Sequence, residues 1–290
     1  MFIDQESYIE ESIIGKMNYK IPKVIHYFWF GNNPEPQIVK KCILSWKKYC
    51  PDYEIKRWDE TNFNVKECAY TNEAYDAKKW AYVSDYARFK VLYTYGGVYL
   101  DTDVELIKPI DSIIKNGPFF ALETEKYDSV DPGIGMATFA NNPFYKKIIQ
   151  NYDNSHFLNK DGLPILTPVG KRVASFLKED GLKPMNGVQK VDGITIYPKD
   201  YFCPLNYFTG GKKITSNTVA IHHYVASWKD KKEKKYHKIG QFVTRCFGYK
   251  TGEITEQIIR IPHAFKEKVS QIGLKDTVMF YHDKYFRRNK

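Results

Sequence analysis

Between Lys23 and Phe30 the chain reads KVIHYFWF, an apolar run closed by Gly31, which predicts a buried strand. From Pro36 to Tyr49 the apolar residues Val39, Ile43, Leu44 and Trp46 fall near helical spacing, so a helix is expected that stops before Pro51. Tyr53–Trp58 (YEIKRW) alternates and reads as a second strand. A strand–helix–strand opening of this kind points to an α/β nucleotide-binding half. A longer helix is expected from Trp80 to Tyr95, closed by Gly96-Gly97, a normal helix exit. Val98-Tyr99-Leu100 then reads as a strand running straight into Asp101-Thr102-Asp103, and Val104–Ile107 continues extended.

Further along, Phe119–Glu123 and Gly135–Phe139 read as strands and Pro143 to Tyr152 as a helix. Another helix is expected after Pro168, running to Glu179. Ile194–Tyr197 and Val219–His223 read as strands. From Lys229 the pattern changes: a solvated run of lysines gives way to a helix expected from Glu256 to Ile272. No internal repeat and no low-complexity tract interrupts the chain.

Composition narrows the class. The 290 residues are 43% hydrophobic and 27% charged, values of an ordered globular protein with enough chain for a sizeable core. Aromatic residues reach 16%; most such rings serve cores, and some serve flat ligands. Met1–Lys16 carries acids where a secretory leader needs bases, and no segment approaches the roughly 20 apolar residues that span a bilayer. The cysteines at 42, 50, 68, 203 and 246 are scattered, which reads as free thiols in a cytoplasmic setting rather than a zinc site.

Charge divides the chain. Residues 1–228 hold 28 Lys and Arg against 27 Asp and Glu, and residues 229–290 hold 16 against 7, so the net charge of +10 sits almost entirely in the tail. A body of 1–228 with a basic extension of 229–290 is therefore expected. The extension predicts an anionic partner, a membrane surface above all, with Phe242, Phe247, Phe280, Tyr281, Tyr285 and Phe286 available to the interface. The neutral body and the absence of a recognised nucleic-acid motif argue against nucleic acid.

The chemistry concentrates in Ser84–Asp103, SDYARFKVLYTYGGVYLDTD. Ser84, Asp85 and Arg88 share one helical face at offsets of three and four. Asp101 and Asp103 flank one residue, and on an extended chain both carboxylates point to the same side. Two adjacent carboxylates repel unless a cation lies beside them, and their oxygens suit the hard ions that also bind phosphate. A lone Asp-Thr-Asp is more often a turn or a cap; the succession of helix, Gly-Gly, apolar strand and Asp-x-Asp points instead to a metal–diphosphate clamp. His222 and His223 face opposite ways on an extended chain, so only one of them faces such a site.

This stretch resembles the sugar-binding DXD family of glycosyltransferases, which includes initiating mannosyltransferases, bacterial capsule enzymes and, more distantly, clostridial glucosylating toxins. Ser84-Asp85 with Arg88, then Gly96 through Asp103, carry the resemblance. Ile21–His26 with Trp29 and Gly31, Asn142-Pro143, Thr195–Pro204 and His222–Trp228 are similar to further family blocks, in order. Asp131–Ala137 (DPGIGMA) departs from it and is expected to border the sugar or acceptor pocket.

The resemblance implies a GT-A fold, a Rossmann-like mixed sheet flanked by helices, here with a basic, mainly helical C-terminal extension. It implies a retaining, Mn- or Mg-dependent hexosyltransferase acting on a nucleotide-sugar donor, with UDP favoured over GDP, and on a saccharide or lipid-linked acceptor in surface polysaccharide synthesis. A transferase that glycosylates a protein is the alternative. Carried over residue by residue, Asp103 binds the metal, Asp101 assists it and contacts the ribose, and His223 resembles the later metal ligand. Trp29 stacks on the base. Ser84, Asp85 and Arg88 hold the sugar and diphosphate, and Ser227 and Trp228 contact the diphosphate. No residue presents itself as the nucleophile of a double displacement, which suits a same-face mechanism.

Overall fold

The computed structural model describes residues 20–124, 130–184, 187–225 and 231–286, with backbone alone from 281. The described residues fall into two compact units: one running through Leu205 and taking in Lys213–Val225, the other made of Asn206–Lys212 and the chain from Ala226 onward.

The larger unit is a mixed α/β layer structure, as the sequence predicts. Its strands in chain order are β1 (Val24–Phe28), β2 (Glu54–Trp58), β3 (Gly97–Tyr99), β4 (Val104–Leu106), β5 (Phe119–Ala121), β6 (Met136–Thr138), β7 (Gln189–Val191), β8 (Ile194–Tyr197) and β9 (Ala220–His222). Seven of them form one sheet in the order β2-β1-β3-β6-β5-β8-β7, while β4 and β9 pair antiparallel as a separate ribbon. β1 runs parallel to both of its neighbours, and β6 is antiparallel to both of its own.

Strand alternation sorts the core into two layers. Ile25 and Tyr27 of β1, Val98 of β3 and Phe119 of β5 pack on one side with Cys42 and Trp46. Phe28, Tyr99 and Phe120 pack on the other with Tyr86, Phe89, Tyr145 and Ile148. Helix α1 (Gln37–Tyr49) covers the first side by burying Val39, Cys42 and Trp46, one helical stripe, and the Trp46 indole donates to the Val104 carbonyl at 2.7 Å. Helices α2 (Ala69–Asp76), α3 (Trp80–Tyr95) and α5 (Pro143–Asp153) contribute to the second side, and α6 (Val169–Glu179) closes it; α4 (Asp111–Ile114) is a single turn on the first. α3 is buried almost all round, from Val83 through Leu92.

The exit from α3 explains the paired glycines. Gly96 and Gly97 both have positive φ (67° and 107°), a region that favours glycine. A Cβ on Gly97 would lie 2.8 Å from the Val24 carbonyl and 2.9 Å from His26 Nε2, so the chain enters β3 against β1 only without a side chain there. His26 is buried beneath this crossing: its Nδ1 accepts from the Trp58 indole at 3.0 Å and its Nε2 faces the Gly96 carbonyl at 3.0 Å, which makes Nε2 the protonated nitrogen.

Three expectations change. β1 stops at Phe28 rather than Phe30, because the chain turns at Gly31 (φ 87°), over which the Trp80 ring lies. The chain from Asp101 to Asp103 is a turn closed by Val104 N–H to the Asp101 carbonyl at 3.0 Å, so Val104 starts the separate ribbon instead of prolonging β3. The tail holds two helices rather than one: α7 (Lys231–Phe247), which absorbs the lysine run, and α8 (Tyr249–Phe286), broken at Gly273 (φ 81°). No helix among the described residues is long and apolar enough to cross a membrane.

In the smaller unit α7 and α8 pack as a hairpin. Gly240 and Gly252 meet at the contact: a Cβ on Gly252 would fall on the Thr244 side chain and 2.7 Å from the Gly240 carbonyl. Arg260 reaches Glu233 at 2.7 Å and His237 reaches Glu256 at 3.0 Å across it. The His237 ring stacks on Tyr207 at 4.1 Å, which ties residues 206–212 to α7.

Candidate active site

β1 lies between β2 and β3, and the chain leaves β1 toward one side first and returns to the other later. Such a point, at the carboxyl ends of parallel strands, is where open α/β sheets form ligand crevices. Trp29 follows the end of β1 and Asp101 follows the end of β3. Trp29 is half-buried, with its indole N–H on the Asn33 carbonyl at 2.6 Å, so its ring is fixed at the rim.

α3 brings two charges to this edge. Arg88 and Asp85 are both buried and pair at 3.0 Å, one turn apart. The same guanidinium lies 3.5 Å from Asp101 Oδ1 and 4.7 Å from the centre of the Tyr99 ring, and its Nε donates to the Ser84 carbonyl at 3.1 Å. Tyr99 O–H donates to the same Asp101 oxygen at 2.5 Å. The Ser84 hydroxyl turns back to the Trp80 carbonyl at 3.1 Å.

A third carboxylate completes the cluster from 30 residues away. The antiparallel pairing of β3 with β6 returns the preceding loop to the end of β3, where Asp101 N–H donates to the Gly133 carbonyl at 2.8 Å. Asp131 accepts from Gly133 N–H at 2.8 Å. Gly133 is essential to this approach, because a Cβ there would fall on Asp101 Oδ2 and 3.1 Å from the Arg88 guanidinium. Burial pushes the Asp85 carboxyl up to about 7, against the pull of Arg88 and with the push of Asp101 and Asp131. Burial raises Asp131 as well, with His222 opposing and Asp101 adding. The pocket crowds negative charge around one guanidinium.

Asp103 is held from the other side. Its Oδ2 accepts from Val225 N–H at 2.8 Å, and its Oδ1 lies 3.4 Å from His222 Nε2. Burial opposes its ionisation, but His222 and the Val225 N–H outweigh this and hold it below the usual carboxylate range. Burial pulls the His222 imidazole down; Asp103, reinforced by the Cys203 sulfur, more than reverses this and raises it well above its ordinary value. His222 Nδ1 is buried and has no hydrogen-bond partner among the described residues.

The structure thus corrects the histidine pairing. The ribbon register sets Val104 opposite His222, so His222 turns to Asp103, while His223 turns outward to Glu105 at 2.8 Å, an oxygen shared with Lys41. The two imidazoles do face opposite ways, as alternation predicts. The turn at Asp101–Asp103 decides between them, and it also removes the simple two-residue alternation expected of the two acids. Asp131 carries one sequence signal, its place before the glycines of DPGIGMA; its link to Arg88 and His222 requires the sheet order. Ser227 and Trp228 lie outside the described residues.

A divalent cation is the group that the motif implies. Asp101, Asp103 and His222 offer oxygen ligands with one imidazole, a donor set that suits Mg or Mn. Among the described residues no three such side chains converge as a preformed cluster; each acid is held by protein partners instead. The donor chemistry fits the ion through His222 Nε2, the nitrogen that faces Asp103.

Comparison with known proteins bears on this geometry. Residues 36–120 match the family model described as a glycosyltransferase sugar-binding region containing a DXD motif. Inositol phosphoceramide mannosyltransferase 1 of Schizosaccharomyces pombe is 31% identical over 127 residues, which cover 40% of this chain and 38% of that protein. An uncharacterized glycosyltransferase of Acanthamoeba polyphaga mimivirus, L373, is 26% identical over 202 residues, covering 63% of this chain and 77% of that one. The chain thus spans less than half the length of the yeast mannosyltransferases it matches. The solved structure of PaToxG Glycosyltransferase aligns with 60% of this chain and 79% of its own, at 22% identity and a TM-score of 0.43.

Proposed function

We propose, from the match of residues 36–120 to the model of a glycosyltransferase sugar-binding region containing a DXD motif, that the protein transfers a hexosyl group from a nucleoside-diphosphate sugar, UDP-linked by preference, to a saccharide or lipid-linked acceptor. The observation that carries the reading is the array at the carboxyl end of β3. There buried Arg88 pairs with Asp85 and lies 3.5 Å from Asp101, the Asp131–Gly133 loop bonds to the Asp101 backbone, His222 faces Asp103, and Trp29 follows the end of the neighbouring strand β1.

The reaction breaks the bond between the sugar's anomeric carbon and the β-phosphate oxygen, so negative charge builds on the diphosphate. Asp101, Asp103 and His222 are the residues that would hold a Mn or Mg ion, which would supply a positive charge to stabilise this leaving group. Arg88 adds a second, permanent one; its burial strengthens it because no water screens it. Tyr99 fixes the Asp101 carboxylate by its hydrogen bond, and Val225 N–H fixes Asp103. Asp85 and Asp131 offer acceptor oxygens for sugar hydroxyls. Trp29 supplies a flat apolar face for the base.

Retention of configuration is part of the proposal. The acceptor hydroxyl forms the new bond on the face that the phosphate leaves, and its proton passes to the departing phosphate oxygen. This assigns the base to the substrate and needs no enzyme nucleophile.

The test is a panel of nucleotide sugars with Mn, read as nucleoside diphosphate release, followed by the anomeric configuration of the product. Asp103→Asn keeps the circular dichroism of the parent and loses turnover by about a thousandfold. Full turnover in that variant, or full turnover in the presence of a chelator, overturns the assignment.

A further inference from the structure

The hairpin of α7 and α8 leaves apolar side chains outside. On α8, Ile254, Ile258 and Ile261 are 55%, 58% and 58% exposed. Their spacing of four and three places them on one helical face. That face is directly opposite the one that packs on α7, which carries Gly252, Glu256 and His263. A soluble helix of this kind ordinarily buries its isoleucines and exposes its glutamates. Here Glu256 is turned inward to His237 and three isoleucines are turned outward.

Charge says what kind of surface covers them. At about 100° per residue, Lys250 and Lys268 fall beside the isoleucine stripe, and in the segment ahead of the break at Gly273 no Asp or Glu falls within about 60° of its centre. Residues 229–290 carry 16 Lys and Arg against 7 Asp and Glu. A second copy of so basic a unit would meet its own positive charge, whereas an anionic lipid surface offers both phosphate for the lysines and acyl chain for the isoleucines. Pro262 lacks the N–H that would bond the Ile258 carbonyl. A carbonyl left open in this way belongs at a wet depth rather than in hydrocarbon.

We propose that the Ile254–Ile258–Ile261 face of α8, bordered by Lys250 and Lys268, docks this protein on the surface of an anionic membrane. The docked helix lies in the interface plane with its isoleucines below the headgroups and its lysines among them. This sharpens the expectation from composition: it singles out one stripe within the extension, and Phe242, on α7, is not part of it.

The experiment is flotation of the full chain with vesicles of phosphatidylcholine, with and without phosphatidylglycerol. The parent protein partitions onto the anionic vesicles at least about tenfold more than onto the neutral ones, and salt weakens the binding. Ile258→Glu with Ile261→Glu lowers the anionic partition by about tenfold or more; the milder Ile258→Ser with Ile261→Ser lowers it in the same direction and guards against disturbance of the hairpin. Asp103→Asn binds vesicles like the parent, so failure here is distinguishable from failure of the catalytic reading. Equal binding to neutral vesicles overturns the proposal, as does undiminished binding in both isoleucine pairs. A concentration-dependent dimer abolished by the same pairs overturns it in favour of a second copy.

Discussion

At Gly133 the space that a side chain would fill is taken by the Asp101 carboxylate and the Arg88 guanidinium; at Gly252 it is taken by Thr244 and the Gly240 backbone. Both glycines permit a close approach, but different things come close. At Gly133 charged groups are drawn together that would otherwise stay apart, and the result is a pocket with too many carboxylates for one arginine. At Gly252 two helices are drawn together, and the result is ordinary packing with polar pairs across it. The larger unit buries its charges and the smaller one exposes its isoleucines. Burying charge without chemistry to perform is costly, and exposing an apolar stripe without a surface to meet is equally unrewarded. The two regions therefore break the ordinary inside–outside rule in opposite directions, one at the proposed donor site and the other at the proposed membrane-docking face.

The comparison breaks most severely at Gly133. Gly133→Ala forces the Asp101 carboxylate or the 131–133 loop to move, and turnover falls by about a hundredfold or more, since misplacing a catalytic group by an ångström costs that much. Donor-dependent kinetics measure it, with melting as the control. Parental turnover in Gly133→Ala would show that the Asp101–Gly133 approach has no catalytic role, and the larger unit would lose its half of the contrast.

Much of this site is legible in the amino-acid sequence, and what is not legible there has a physical cause. Asp85 and Arg88 can be placed on one face because helical spacing is local. The strands around the double glycine can be placed because apolar runs are local too. Asp131 cannot be tied to Arg88 in this way, because that proximity depends on β6 running antiparallel between β3 and β5. His222 cannot be chosen over His223, because the choice depends on a register between strands more than 100 residues apart. Of the α7–α8 hairpin, the middle of α8 is legible and α7 is not, because lysines at the start of α7 mask a helix that packs through Gly240, a residue that counts against a helix locally.

His26 lies under the crossing that aims Asp101, and it gives a pH-dependent handle on that scaffold. Burial holds its pKa down at about 4, below the ordinary value of 6.5. The neutral ring satisfies both partners, whereas a second ring proton would point at the Trp58 N–H. As the pH falls from 6.5 toward 4, the unfolded chain takes up this proton and the folded chain does not, so the stabilisation present above 6.5 is lost over that window. Its size is about 3 kcal/mol at roughly 1.4 kcal/mol per pKa unit. Denaturant unfolding at stepped pH reads it as a slope, and His26→Gln flattens that slope. An unchanged slope in the variant would assign the acid sensitivity to other groups.

Gly252→Ala probes the other unit. The added methyl spreads α7 from α8 and costs about 1–3 kcal/mol of hairpin stability, read as earlier loss of helical signal on heating or faster proteolysis between residues 231 and 286. Nucleoside diphosphate release stays at the parental level. A parallel loss of turnover would mean that the two units do not divide their tasks as the exposed stripe and the buried charges suggest.

Trp29 gives the smallest effect and the finest division. Its indole is tethered to the Asn33 carbonyl at 2.6 Å, so the ring is ordered before any base arrives and little entropy is lost on stacking. A base–aromatic stack contributes about 1–3 kcal/mol, and the base is remote from the bond that breaks. The interaction is therefore the same in ground state and transition state, and its loss raises KM while kcat holds. Trp29→Ala should raise KM for the nucleotide sugar about tenfold, and Trp29→Phe should recover part of it. A fall in kcat instead, with KM unmoved, would place Trp29 in the support of the β1–β3 edge rather than against the donor.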